Sequence, residues 1–145
     1  MTRNQIVSIA RSYVGTPFHH QGRQKAIGID CVGLLVCVMR ECGLNVEDQT
    51  NYNGLIDAGF LRSKLDSHLV ELSSPSDKEG WLKAGVVGVG DVLLLRIGKN
   101  PQHIGIVSDV GIIHTHQNAG RVIETNLSGW SKRIVSAYSL PEVEI

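Results

Sequence analysis

Asp30-Cys31-Val32-Gly33-Leu34-Leu35-Val36-Cys37-Val38-Met39-Arg40 is the stretch from which the fold can be read. Apolar residues run almost unbroken from Cys31 to Met39, and Gly43 closes the segment, so it predicts a helix buried on most of its faces. Asp30 is placed to cap it, because a carboxylate there can accept from the first unpaired backbone N–H groups. A helix so thoroughly apolar needs a broad layer to pack against. Downstream, Asp91 to Ile97, His103 to Ser108, Ile112 to His116, Arg121 to Glu124 and Ile134 to Tyr138 are short β-rich runs separated by glycine, asparagine or proline turns. Helices first and strands after them predict an α+β fold, with an antiparallel sheet packed on the cysteine helix.

Upstream, Ile6, Ile9, Ala10 and Tyr13 recur at helical spacing within residues 2–14, and Gly15-Thr16-Pro17 ends that first helix. From Asn45 to Gly90 the signals weaken. A turn-rich stretch at Asn51-Tyr52-Asn53-Gly54 precedes a short helix expected over Ile56 to Leu65, and Ser73-Ser74-Pro75-Ser76 follows it. This part reads as helices and loops covering one side of the core. No internal repeat is visible, and residues 1–145 are expected to form a single domain.

Apolar residues make up 42% of the 145-residue chain and charged residues 19%, which is the composition of a folded globular protein. Fourteen basic and fourteen acidic side chains cancel. Non-specific binding of nucleic acid or anionic lipid would need a cationic excess, so no nucleic-acid partner is expected. Met1 to Ser12 contains no apolar run of signal-peptide length, and no segment approaches a membrane span. The chain is therefore expected to stay where it is made, in the cytoplasm, unless a partner, a phage particle or lysis carries it out.

Cys31, Cys37 and Cys42 all fall in the helical segment. Cys37 lies on a different face from Cys31, and Cys42 shares that face about 16 Å along the axis, so no two can bridge within one helix. The spacing of a zinc site is also absent, and neither a metal nor a cofactor is implied. Cys31 differs from the other two by standing at the helix start, where unpaired N–H groups and the macrodipole favour a thiolate. A free cysteine is more often a small buried apolar residue, so a base must be found. His103 begins the run His103-Ile104-Gly105-Ile106-Val107 directly after Lys99-Asn100-Pro101-Gln102, a strand entry from which an imidazole can face a cleft. A third group should fix the tautomer of that base. His114 and His116 alternate with Ile113 and Thr115 and share a face; a tight turn near Val110-Gly111 would bring His103 closer to His116, and periodicity does not choose between them.

Thr16-Pro17-Phe18, Ile29-Asp30-Cys31-Val32-Gly33-Leu34, Gly90-Asp91-Val92-Leu93, His103-Ile104-Gly105-Ile106-Val107 and Ile112-Ile113-His114 together resemble the NlpC-type papain-like cysteine peptidases of bacterial cell walls. The likeness runs from about residue 3 to 125. Within that family the chain resembles a subgroup associated with phage tails and prophages, through Pro17-Phe18-His19-His20-Gln21 and Glu124-Thr125-Asn126-Leu127-Ser128-Gly129-Trp130. The resemblance implies Cys31 as nucleophile, His103 as base and His114, rather than His116, as the group orienting it. It also implies a papain-like fold, a peptidoglycan stem peptide as substrate, cleavage between D-glutamate and a diamino acid, and phage tail proteins as partners.

Phe18, His20 and Asp30 are placed by the same resemblance in the substrate and oxyanion region. Phe18 stands where the family usually has tyrosine, whose hydroxyl can help stabilise the oxyanion, a role the Cys31 backbone N–H and His20 could share. Val32 replaces the usual serine. A tail component with the same fold and little activity is the competing reading, as is acyl transfer by the same nucleophile. Gly85-Val86-Val87-Gly88-Val89-Gly90 has no G-K-[ST] and no following helix, so a turn before a strand is expected there. Trp81 and Trp130 are expected to pack rather than to touch substrate.

Overall fold

A computed structural model describes residues 1–52, 58–72 and 86–143. Helix α1 (Arg3–Arg11) opens with a reciprocal cap: Thr2 Oγ1 accepts from the Gln5 N–H, and the Gln5 side chain accepts from the Thr2 N–H. Ile6, Val7 and Ala10 bury its inner face. The helix stops three residues before its expected end at Val14; Tyr13 stays buried in the following turn, and Gly15, at φ +94°, closes that turn. The polar, glycine-containing stretch after it holds a small antiparallel hairpin of β1 (Arg23–Gln24) and β2 (Gly28–Ile29).

Helix α2 (Cys31–Glu41) follows at once. Asp30 caps it by accepting from the Gly33 N–H at 2.8 Å, and Gly43 ends the segment at φ +88°. Cys31, Val32, Leu34, Leu35, Val36, Val38 and Met39 are buried along it, as the apolar run predicts. A side chain at Gly33 would meet the Gly22 carbonyl oxygen at 2.1 Å, so glycine is what lets α2 lie against the hairpin loop. Helix α3 (Ala58–His68) contributes Leu61 and Leu65 to the core and runs three residues past the expected Leu65. Its expected start at Ile56, the Asn53-Gly54 turn, the Ser73 to Ser76 run, Trp81 and Gly85 lie outside the described residues.

Strands β3 (Val70–Glu71), β4 (Val92–Ile97), β5 (Asn100–Val107), β6 (Ile112–His114), β7 (Ile123–Thr125) and β8 (Ile134–Ser139) form one sheet in the order β3-β8-β4-β5-β6-β7. Every neighbouring pair is antiparallel. Alternation sorts the side chains: Val92, Leu94, Ile104, Ile106 and Ile113 face the helices, while Leu93, Leu95, Val107 and Ile112 build a second apolar layer on the far side. The protein is thus α+β, with helices against an antiparallel sheet. Among the described residues no helix is long and apolar enough to cross a membrane.

Two strand boundaries differ from expectation and bear on the site. β5 starts at Asn100, so His103 lies inside a strand rather than at its entry. Pro101, which has no N–H to give a ladder, falls where the β4–β5 register shifts between Leu95 and Ile97, and the strand passes through it there. β6 ends at His114, two residues before the expected His116, and β7 spans Ile123–Thr125 instead of Arg121 to Glu124. Within β5, a side chain at Gly105 would meet Ile112 at 2.4 Å and His114 Cβ at 3.3 Å; glycine there makes room for the residues of β6.

Candidate active site

Cys31 at the start of α2, His103 on β5, Phe18 and His20 ahead of β1, and Thr115 and His116 just after β6 line one open cleft. The fold therefore brings together residues 72 positions apart in sequence, the distance from Cys31 to His103. A second hollow, between α2 and α3, is lined mainly by apolar side chains such as Leu35, Met39, Phe60 and Leu65 and holds no cysteine. Among the described residues no cluster of histidine, cysteine and carboxylate side chains could hold a metal.

His103 and His114 are both buried, and His103 Nε2 lies 2.8 Å from His114 Nδ1. Continuing the register outward from Val107↔Ile112 and Ile106↔Ile113 would set His103 opposite His116. β6 ends before that pair can form, and the imidazole bonds to His114 instead; His116 only approaches it ring to ring, with centroids 5.5 Å apart. Behind His114, its Nε2 lies 3.2 Å from Thr125 Oγ1 on β7. Assigned along this chain, the protons run from His114 Nε2–H to the Thr125 oxygen and from His103 Nε2–H to His114 Nδ1. His103 Nδ1 is left with its lone pair, the form a base needs.

The electrostatics overturn one expectation. Burial, and then the Asp30 carboxylate, push the Cys31 thiol up to about 12, against the pull of backbone N–H groups of Ile104, Val32 and Cys31 itself. The loss of water around a residue that is only 7% exposed outweighs the donors at the helix start. Burial, with His114 and His116 beside it, also holds His103 well below the ordinary histidine range, and burial lowers His114 to about 4. The resting pair is thus a thiol and a neutral imidazole. Iodoacetamide should label Cys31 slowly at pH 6, with a rate that climbs about tenfold per pH unit through the alkaline range as the thiolate fraction grows. Fast labelling at pH 6, mapped to Cys31, would show a thiolate stabilised beyond what this burial allows.

Asp30 lines the cleft with both oxygens already committed. Oδ1 accepts from the Gly33 N–H and from Arg23, and Oδ2 accepts from the Gln21 N–H at 2.9 Å and from the Tyr52 hydroxyl. These bonds tie the start of α2 to the residues before it and to Tyr52. His20 Nε2 lies 3.2 Å from the Tyr52 carbonyl oxygen, so that nitrogen carries the proton, and the other can donate to an oxyanion only when the ring is cationic. Phe18 is half-buried in the same wall. Phe18→Tyr should accordingly raise the acylation rate with little change in substrate affinity, seen in burst-phase kinetics. An unchanged burst would mean that the backbone N–H donors already satisfy the oxyanion.

Three contributors escaped the sequence reading. Thr125 stands in the sequence only as part of a motif, and its partnership with His114 depends on the β6–β7 register. Thr115 is marked in the sequence only as the residue between His114 and His116. Trp130 packs, as expected, but its partners are the histidines, which the sequence does not show: its ring centroid lies 4.9 Å from that of His103 and 5.2 Å from that of His114, and the Arg133 guanidinium lies 5.3 Å from the indole. The indole shields the His103–His114 bond from water.

Helices on an antiparallel sheet, with a helix-start cysteine and a strand histidine in one cleft, define a papain-like domain. The chain belongs to the NlpC/P60 family, whose sequence model matches residues 15–139. Among solved structures it is similar to the NlpC/p60 domain of the peptidoglycan hydrolase SagA, at 20% identity and a TM-score of 0.66, over 97% of this chain and 100% of that one. It is also similar to a lipoprotein-like NLP/P60 family protein of Staphylococcus aureus subsp. aureus Mu50, at 16% identity and a TM-score of 0.64, over 95% of this chain and 41% of that one. At these identities the likeness is one of fold. No curated protein matches in sequence.

Proposed function

We propose that the protein is a cysteine peptidase that hydrolyses an amide bond in the stem peptide of peptidoglycan, between D-glutamate and a diamino acid. The observation that carries this reading is the shared cleft of Cys31 and His103, with His103 held by His114 at 2.8 Å. Family membership and the peptidoglycan hydrolase among similar structures support the substrate class.

The Cys31 sulfur attacks the amide carbon as its proton passes to His103 Nδ1, which avoids a free thiolate in the resting site. The oxyanion is met by backbone N–H groups at the start of α2. Collapse breaks the C–N bond, and the His103 imidazolium gives its proton to the leaving amine. Water, deprotonated by His103, then attacks the thioester carbon, and the sulfur leaves as thiol with that proton, freeing the acid. Incubation of the purified protein with muropeptides, read by mass spectrometry, should give a mass gain of one water per cut and two fragments at the glutamyl bond. Cys31→Ser should abolish both. Intact muropeptides with the wild-type protein would leave the weakly active phage-tail component, suggested by the Pro17 to Gln21 and Glu124 to Trp130 segments, as the better reading. Transfer to an added amine in place of water would mark an acyltransferase.

A further inference from the structure

Thr115 is fully buried, and among the described residues its Oγ1 is the buried side-chain oxygen that makes no hydrogen bond. An unpaired buried hydroxyl is a standing cost to the fold, and valine, with the same shape, would avoid it. The position gives the hydroxyl a use. Thr115 forms part of the cleft wall, directly after the His114 that holds His103 and just past the end of β6. Because no hydrogen bond pins Oγ1, one staggered step about χ1 can carry it to the position the methyl group holds, the methyl taking the place of the β-hydrogen. The same cleft is lined by Phe18 and Ile97, which present only hydrocarbon, by Asp30, whose two oxygens are committed, and by the polar side chains of Gln102, His116 and Gln117. A peptide entering here must leave water around its oxygens, and a hydroxyl with an unused proton replaces what is lost.

We propose that Thr115 is a substrate-binding residue whose hydroxyl donates a hydrogen bond to a carbonyl or carboxylate oxygen of the peptide in the cleft. This assignment rests on the peptidase reading and names a contact within it. The stability lost to the unpaired hydroxyl in the free protein is recovered when the substrate arrives, an exchange of stability for binding.

The test compares Thr115→Val and Thr115→Ser with the wild-type protein, in steady-state cleavage of a muropeptide and in thermal melting. Thr115→Val should raise KM roughly three- to tenfold, the size of one neutral hydrogen bond, while kcat stays within about twofold. It should also melt higher than wild type, because the unpaired hydroxyl is gone. Thr115→Ser should restore KM. Should valine lower the melting temperature, Thr115→Ala removes the same hydroxyl and should show the same rise in KM. A wild-type KM without the hydroxyl, or a rise that serine does not reverse, would overturn the assignment even where melting changes as expected. Failure of the wild-type protein to cut the peptide at all would overturn the peptidase reading instead, and this contact with it.

Discussion

Replacing His114 with alanine should lower kcat by about 10²- to 10⁴-fold, the range associated with a positioned acid–base group, while KM changes little. His114 Nδ1 is the acceptor that holds His103 Nε2 at 2.8 Å, and without it the buried imidazole can turn or adopt the tautomer with its proton toward Cys31. His114→Asn supplies the control. The asparagine Oδ1 is attached to Cγ as the histidine Nδ1 is, so it places an acceptor near the same point and should recover much of the loss. His116→Ala breaks no hydrogen bond to His103 and should cost far less than His114→Ala. Equal losses in the two alanine variants would mean that the His103–His114 bond does not organise the base.

Asp30→Ala should be the most destabilising single change near the site, by about 3–4 kcal/mol. It removes a helix cap, worth about 1 kcal/mol, and one carboxylate of the buried pair with Arg23. Asp48 still holds the guanidinium, at 2.8 Å, which keeps the loss below that of a fully stranded charge. For a chain of this size the melting temperature should fall by roughly 10 °C. Asp30→Asn keeps a capping oxygen and should lose less. It also removes the negative charge that raises the Cys31 thiol, so the alkylation profile of Cys31 should move to lower pH. A melting temperature within about 2 °C of wild type for Asp30→Ala would show that Arg23 and Tyr52 find other partners.

The path from residues to fold was short where the information is local. The buried α2, its Asp30 cap and its Gly43 terminus follow from an apolar run with a polar residue at one end and a glycine beyond the other, and the structure has all three. Strand boundaries were less legible, because pairing decides them: Pro101 lies in β5 only because a register shift accommodates it, and β6 stops at His114 although Thr115 and His116 continue the alternation. The β1–β2 hairpin leaves no mark in the sequence, since strands of two residues have no period to detect.

The sequence by itself determined the α+β class, the helix that carries Cys31 and the short set of histidines from which a base could come, because periodicity and capping are written in neighbouring residues. The choice of His114 over His116 had to be borrowed from a family resemblance. Only the tertiary structure shows which histidine shares a hydrogen bond with His103, that Thr125 stands behind His114, that Trp130 covers the pair and that Thr115 keeps an unpaired hydroxyl in the cleft wall. It alone also shows the Cys31 thiol raised and not lowered. Hydrogen bonds across strands and the removal of water depend on which distant segments meet, and no local pattern carries that information.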